Sequence, residues 1–303
     1  MFFIKSLIFY LREIINHPLK KDKKFKSIVG FFFWHIKRRL IYPKGVVIKW
    51  VNDSKLFVSR KEMQLRLNVY YGLMEYEEMS FFLHVLRKND LFIDVGSNVG
   101  SFTILASKVI GANTIAFEPV QNARERFKRQ VELNSIEKKV DIRNKAIGNY
   151  NGKTFITNDK DEANYLVQNN DNQNKSLSEV EISKLDEELT ISQNFFLKID
   201  VEGFEYQVLK GAEKILSSEK LIGVILELFW AERYNNTKQQ LLDIMEKNGL
   251  YPYTYEPKTR VLMKNLDPKN CNNVIFIKDK NKIEKICKQA PNFKIHTANN
   301  SYI

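Results

Sequence analysis

Only two of the 303 residues are cysteine, Cys271 and Cys287, too few for a disulfide framework and in keeping with a reducing, cytoplasmic compartment. The four histidines (His17, His35, His84 and His296) are scattered, and no Cys/His pair has zinc-ligand spacing, so no metal site is assigned. No apolar run is long enough to span a bilayer. The apolar stretch Met1 to Leu11 is interrupted by Lys5 and followed by Arg12 and Glu13, not by small residues, so it does not read as a signal peptide. It reads either as an amphipathic helix lying on a membrane, with Phe2, Phe3, Leu7 and Phe9 inward, or as a helix packed on the domain. Internal repeats are also missing.

Positive charge is abundant but unevenly placed. Residues 1–62 hold fifteen Lys/Arg against four Asp/Glu, which is +11 of the chain's total of +12. Lys20-Lys21-Asp22-Lys23-Lys24 and Lys37-Arg38-Arg39 are its centres. A solvated face is the plainer reading, and residues 1–40 in contact with an anionic membrane the functional one.

From Val46 the pattern turns strand-like, through Val51 and again from Ser54 to Ser59. Glu75 to Leu86 spaces Met79, Phe82, Leu83 and Leu86 as a helix does. Strands and helices then alternate. Strands are expected at Leu91–Val95, Thr114–Phe117, Val140–Asn144, Phe195–Ile199 and Gly223–Leu228, and helices at Ser101–Ile110, Gln121–Asn134, Phe204–Leu216 and Thr237–Asn248. Tyr251–Tyr255 and Asn273–Ile277 are expected to pair as the last strands. This alternation predicts an α/β fold, a mostly parallel sheet with helices on both faces. The polar stretch Thr157 to Ser176 interrupts it as a long loop, a candidate lid with Asn164-Tyr165-Leu166 inside it. The Lys/Asn-rich tail beyond Lys278 is expected to fray at its end. The division is then 1–67 as a basic arm and β-rich lead-in, 68–278 as the main domain, and 279–303 as the tail.

The stretch LFIDVGSNVG, Leu91 to Gly100, has the form of a buried strand ending in a tight turn that opens a helix. Such a turn lets backbone N–H groups approach a ligand. A dinucleotide site wants G-x-G-x-x-G, with a second glycine so that the pyrophosphate can pass. Here that position is Asn98 and the third is Ser101, which speaks against a nicotinamide-dependent oxidoreductase. The turn suits S-adenosylmethionine (SAM), whose carboxylate would take N–H groups from Gly96, Ser97, Asn98, Gly100 and Ser101, and whose ammonium would face Asp94. Glu118, twenty-four residues on at the next strand's end, can accept both ribose hydroxyls. Asn144, at the third strand's end, could face the adenine.

A second motif sharpens this reading: Leu197-Lys198-Ile199-Asp200-Val201-Glu202-Gly203-Phe204-Glu205, followed by Val208-Leu209-Lys210-Gly211-Ala212. With Gly72-Leu73-Met74-Glu75-Tyr76-Glu77, Ala116-Phe117-Glu118-Pro119 and Ile225-Leu226-Glu227, it resembles the FkbM family of SAM-dependent methyltransferases over about Asn68 to Lys278. At the turn Ser97 stands where the family often has Ala. Tyr165 stands where some relatives have His, so no role of that histidine carries over. The resemblance implies a class I methyltransferase fold, Rossmann-like, with a seven-stranded sheet whose last strand is antiparallel. It also implies methyl transfer to a hydroxyl of a sugar or natural product, in surface-polysaccharide assembly, with a glycan or glycolipid as acceptor.

Asp200 and Glu202 follow the fourth strand. Alternation would put both on one face, with Val201 facing away, as base or acceptor anchor. Glu202 and Glu205 read equally as helix caps. Glu227 is a third candidate, and Asp200, Glu202 and Glu227 together could hold a divalent cation. His84 reads as a packed helix residue. No Asn/Asp-Pro-Pro-Tyr/Phe run follows the fourth strand and no aromatic stacking motif is found, so a nucleic-acid partner is not expected. A non-enzymatic SAM-binding module tethered by its arm is the alternative to an enzyme.

Overall fold

The computed structural model describes residues 10–21, 24–42, 44–59, 62–158, 164–167, 176–297 and 300–303. Phe2, Phe3, Leu7 and Phe9 fall outside them. Among the described residues, no helix is long and apolar enough to cross a membrane.

An eight-stranded sheet forms the centre: β1 Leu91–Val95, β2 Asn113–Phe117, β3 Val140–Arg143, β4 Phe195–Ile199, β5 Leu221–Glu227, β6 Tyr251–Glu256, β7 Val261–Lys264 and β8 Asn273–Ile277. The spatial order is β7-β6-β8-β5-β4-β1-β2-β3. The run from β5 to β3 is parallel. β8 runs antiparallel to β5 and β6, as expected of the last strand. The eighth strand, β7, is a hairpin extension of β6 at the sheet's edge.

All five β4 residues are buried, as befits a strand covered on both faces. Phe92 and Phe196 pack on one face with Phe82 and Phe102, whereas Ile93 and Leu197 pack on the other with Val208, Leu216 and Met245. Because the chain leaves β1 for β2 and β3 and then returns to β1's other side as β4, the strand order reverses between β1 and β4. That is where ligands sit in open α/β sheets. In the register there, Lys198 pairs with Asp94 and Ile199 with Val95, so the two motifs meet at one edge.

The structure departs from the sequence reading at four places. The helix expected over Ser101–Ile110 is α-helical only at Ser101–Ile104 and widens to a π-helix over Leu105–Ile110. The helix expected over Phe204–Leu216 breaks into Glu205–Lys210 and Glu213–Ser217. At the break a Cβ on Gly211 would lie 1.9 Å from the Gly148 carbonyl, and the Asp186 carboxylate accepts the Lys214 and Ile215 amides, starting the second piece afresh. The polar stretch is flanked by a small sheet: Gly152–Thr157 pairs with Leu177–Lys184, and Ala146–Gly148 and Leu166–Val167 complete it. The described residues of the tail are packed on the fold rather than frayed. Lys280–Lys288 is a helix that buries Ile283 and Cys287, and Ile303 is buried and exchanges two backbone hydrogen bonds with Phe293.

The lead-in hairpin Val46–Lys49 and Lys55–Val58 joins the main core through Trp50, Val51, Leu56 and Val58. Its edge is covered by side chains. The Gln130 and Asn134 amides each accept from, and donate to, the backbone of Phe57 and Lys55, respectively.

Candidate functional site

Gly96, Asn98 and Gly100 hold the turn after β1 in left-handed conformations. Gly96 has no alternative, because a Cβ there would sit 1.8 Å from the Asp200 carbonyl. The turn thus presses on the end of β4, and the Asp200 amide donates to the Val95 carbonyl at 3.0 Å. Gly96 and Ser97 donate their amides to the Phe117 carbonyl, and Asn98 donates to Glu118 Oε2 at 2.8 Å. These amides were expected to hold a ligand carboxylate. They bind the end of β2 instead, because the turn must close against that strand.

Beside the turn lies a cavity of about 430 Å³, within the range of small-molecule sites. Gly96, Asn98, Glu118, Asp200 and Glu202 line it. Asp94, Ser97, Gly100 and Ser101 are buried and do not. Gly100 packs against Phe127, and the Ser101 hydroxyl lies 3.4 Å from the Gln64 and Asn68 side-chain amides. Asn144 does not face the cavity. It is exposed and borders a separate depression with Lys153 and Glu181, while its neighbour Lys145 reaches the cavity wall.

Glu118 accepts the Val120 amide on Oε1 and the Asn98 amide on Oε2, both at 2.8 Å. Burial nevertheless pushes its carboxyl up to about 7. Asp94 accepts the Thr103 hydroxyl at 2.7 Å, and burial raises it to about 6. Asp94 Oδ1, Ser97 Oγ and Asn98 Oδ1 are buried without a hydrogen-bond partner. All three can accept a hydrogen bond, but only Asn98 Oδ1 belongs to a residue that lines the cavity, where Glu118 also keeps further lone pairs. A ribose diol brings the donors that this acceptor-rich wall lacks, so the residues present fit SAM.

The second half of the cavity is an acid centre. Ligand atoms of Asp200, Glu202 and Glu227 lie within 4.8 Å of one another. Lys198 is buried beneath them, with Nζ 2.6 Å from Asp200 Oδ2. Burial disfavours that ammonium, but Asp200, Glu75 and Asp94 outweigh it and raise its pKa above the usual lysine value. Glu202 is pushed up to about 7 by burial and then by Asp200. Glu227 is driven much higher by burial and by the same neighbour, so it keeps its proton at neutral pH. Val201 lines the cavity too. Strand alternation fails here because β4 ends at Ile199 and Glu202 is left-handed (φ 57°). Glu205 is a structural cap, with Oε1 accepting the Val201 and Gly203 amides.

Glu75 in this wall, and Arg233 and Tyr234 behind it, were not singled out as site residues in the sequence. Glu75 lines the cavity, and burial raises it to about 7, with Lys198 pulling the other way. The Arg233 guanidinium donates to the Glu202 carbonyl and lies 4.4 Å from the ring centres of both Tyr165 and Trp230. Tyr234 fastens the same segment by donating to the Leu166 carbonyl at 2.6 Å. Asn164, Tyr165 and Leu166 accordingly line the cavity, in the place expected of a lid. His84 is elsewhere, 2.7 Å from the Tyr255 hydroxyl.

Residues 94–251, slightly more than half the chain, match the family described as the methyltransferase FkbM domain. No curated protein matches the chain. Among solved structures, a TehB-like SAM-dependent methyltransferase from Corynebacterium glutamicum is 12% identical, covering 71% of this chain and 95% of its own, with a TM-score of 0.41. A precorrin-6y C5,15-methyltransferase from Geobacter metallireducens is 10% identical, covering 68% and 87%, with a TM-score of 0.36. TrmK of M. capricolum, in complex with S-adenosylhomocysteine, is 10% identical, covering 66% of each chain, with a TM-score of 0.34.

Proposed function

Because the chain belongs to the FkbM methyltransferase family and uses SAM, we propose that it methylates a hydroxyl oxygen of a sugar in a surface glycan, glycolipid or related natural product. The observation that carries this reading is the wall of carboxyls (Glu75, Asp200, Glu202 and Glu227) that shares one cavity with Glu118. A polyhydroxyl acceptor brings many O–H donors, and carboxyls are the acceptors that match them.

When bound, SAM supplies a methyl group already activated on a sulfonium. Glu118 would hold the ribose hydroxyls, and Asp94, buried behind the cavity wall, would act on the ammonium only from beneath the turn. The remaining task of the chain is to place one acceptor hydroxyl and remove its proton. Glu202 is the base in this reading, since its raised pKa matches the operating pH. Lys198 is paired with Asp200, and Glu227 keeps its proton, which leaves Glu202 and Glu75 as the carboxyls of the acid centre raised to about 7; Glu202 is the one whose ligand atom groups with those of Asp200 and Glu227.

The sign of the pH dependence follows. Glu202 is mostly protonated at pH 6 and mostly ionised at pH 8, so kcat/KM rises with pH through about 7. With SAM saturating, so that Glu118 does not contribute, Glu202→Gln is expected to lower kcat by about 100-fold or more and to flatten that rise. A variant that keeps the wild-type profile assigns the base elsewhere. The substrate reading is tested by comparing the masses of surface glycans from cells with and without the gene. A glycan lacking one methyl substitution per repeat is expected on deletion. Identical glycans would overturn the assignment.

A further inference from the structure

The helix Lys24–Leu40 presents two apolar faces, and among the described residues only one of them is covered. Ser27 and Phe31 are buried on that face, where Phe31 packs edge-on against Tyr70 at 4.9 Å and His35 Nε2 lies 3.1 Å from the Tyr70 hydroxyl. On the other side Phe25, Val29, Phe32, Phe33, Ile36 and Leu40 recur every three to four residues and are 44–82% exposed. At 100° per residue they share an arc of roughly 100°. Six large apolar side chains in one stripe make a larger patch than a soluble surface usually leaves open.

The charge around the stripe indicates what covers it. The helix carries Lys24, Lys26, Lys37, Arg38 and Arg39 and no acidic residue. By helical position Lys26 and Lys37 border one edge of the stripe, and Lys37 Nζ lies over the Phe33 ring at 5.5 Å from its centre. An apolar face edged by lysines is the pattern of a helix lying in a membrane interface, its stripe among acyl chains and its cations among anionic headgroups. A second copy of this chain would bring the same cations face to face.

We propose that Lys24–Leu40 docks the protein on an anionic membrane surface through this stripe. The helix lies within residues 1–40, whose charge suggested contact with an anionic membrane, and is separate from Met1 to Leu11, in which the sequence suggested a membrane helix. It also has a structural link to the cavity. The helix Met63–Tyr71 meets Lys24–Leu40 through Tyr70 and contributes Gln64 and Leu67 to the cavity wall. Docking does not depend on the acceptor being a sugar.

The test is flotation of the full chain with vesicles of phosphatidylcholine alone and of phosphatidylcholine with one-quarter phosphatidylglycerol. Binding is expected to the anionic vesicles only, and to weaken as salt is raised. Phe33→Glu with Ile36→Glu is expected to weaken it by at least about tenfold. Lys26→Gln with Lys37→Gln is expected to weaken it roughly fivefold per lysine removed. Both double variants should keep wild-type SAM affinity by calorimetry, which shows them folded. Equal binding to neutral vesicles, no binding to either, or undiminished binding of the Phe33/Ile36 variant would each overturn the proposal. So would a wild-type dimer that the Phe33/Ile36 variant converts to monomer, since the stripe would then be a self-association face.

Discussion

Gly96→Ala is expected to destabilise the protein by about 4 kcal/mol or more, a large part of the 5–15 kcal/mol that usually holds a domain together. Two costs combine. The left-handed conformation at φ 81° strains any L-residue by about 1–2 kcal/mol. The larger cost is steric, because the new Cβ would lie 1.8 Å from the Asp200 backbone oxygen. Relief requires moving the turn away from β4, which breaks the bond between the Asp200 amide and the Val95 carbonyl and separates the cofactor side of the cavity from the acid centre. Gly249→Ala is the control. Gly249 has a similar φ of 71°, but nothing lies within 4 Å of the position a Cβ would take, so only the conformational cost applies. Urea unfolding of both variants separates the two effects. Equal losses would mean that the approach to Asp200 can relax freely.

What could be read from the chain tracks how local each determinant is. β1, β4 and β8 were placed residue for residue, because fully buried strands are short apolar runs bounded by polar turns. The strand Leu177–Lys184 was missed, since its partner Gly152–Thr157 lies across a polar excursion and half-exposed strands carry little apolar signal. The break at Gly211 was equally hidden, because only the fold brings Gly148 against it. At the site, Asp200, Glu202, Glu118 and Gly96 could be named because strand ends mark ligand positions in this sheet. Asn144 was named by the same rule and fails it. Its strand stops at Arg143, and Lys145 takes the wall. The turn amides illustrate a further limit. The sequence shows that a glycine-containing turn opens a helix, but the partners of its N–H groups depend on how closely β2 lies, which no local pattern encodes. Arg233 gives no signal of its own either. Its place between Tyr165 and Trp230 joins segments nearly seventy residues apart.

Glu118→Ala is expected to lower SAM affinity by about 100-fold or more. The carboxylate can accept two hydroxyl donors, and hydrogen bonds to a charged group contribute about 1.5–3 kcal/mol each. The same change removes the acceptor for the Asn98 and Val120 amides, so some stability is lost with it. A pH series separates the two roles. In the free protein burial holds Glu118 near 7, so about nine-tenths of it is protonated at pH 6, and ribose hydroxyls favour the ionised form. Affinity should therefore be about tenfold weaker at pH 6 than its high-pH limit, and binding near pH 7 should release about half a proton per SAM. Calorimetry in two buffers of different ionisation enthalpy reads that proton directly. Glu118→Gln keeps the size of the side chain and cannot ionise, so its affinity should be lower than wild type at pH 8 and lose the Glu118 contribution to the pH dependence. If the alanine variant binds SAM like the wild type, Glu118 serves only to brace the turn, and the ribose must be held elsewhere in the cavity.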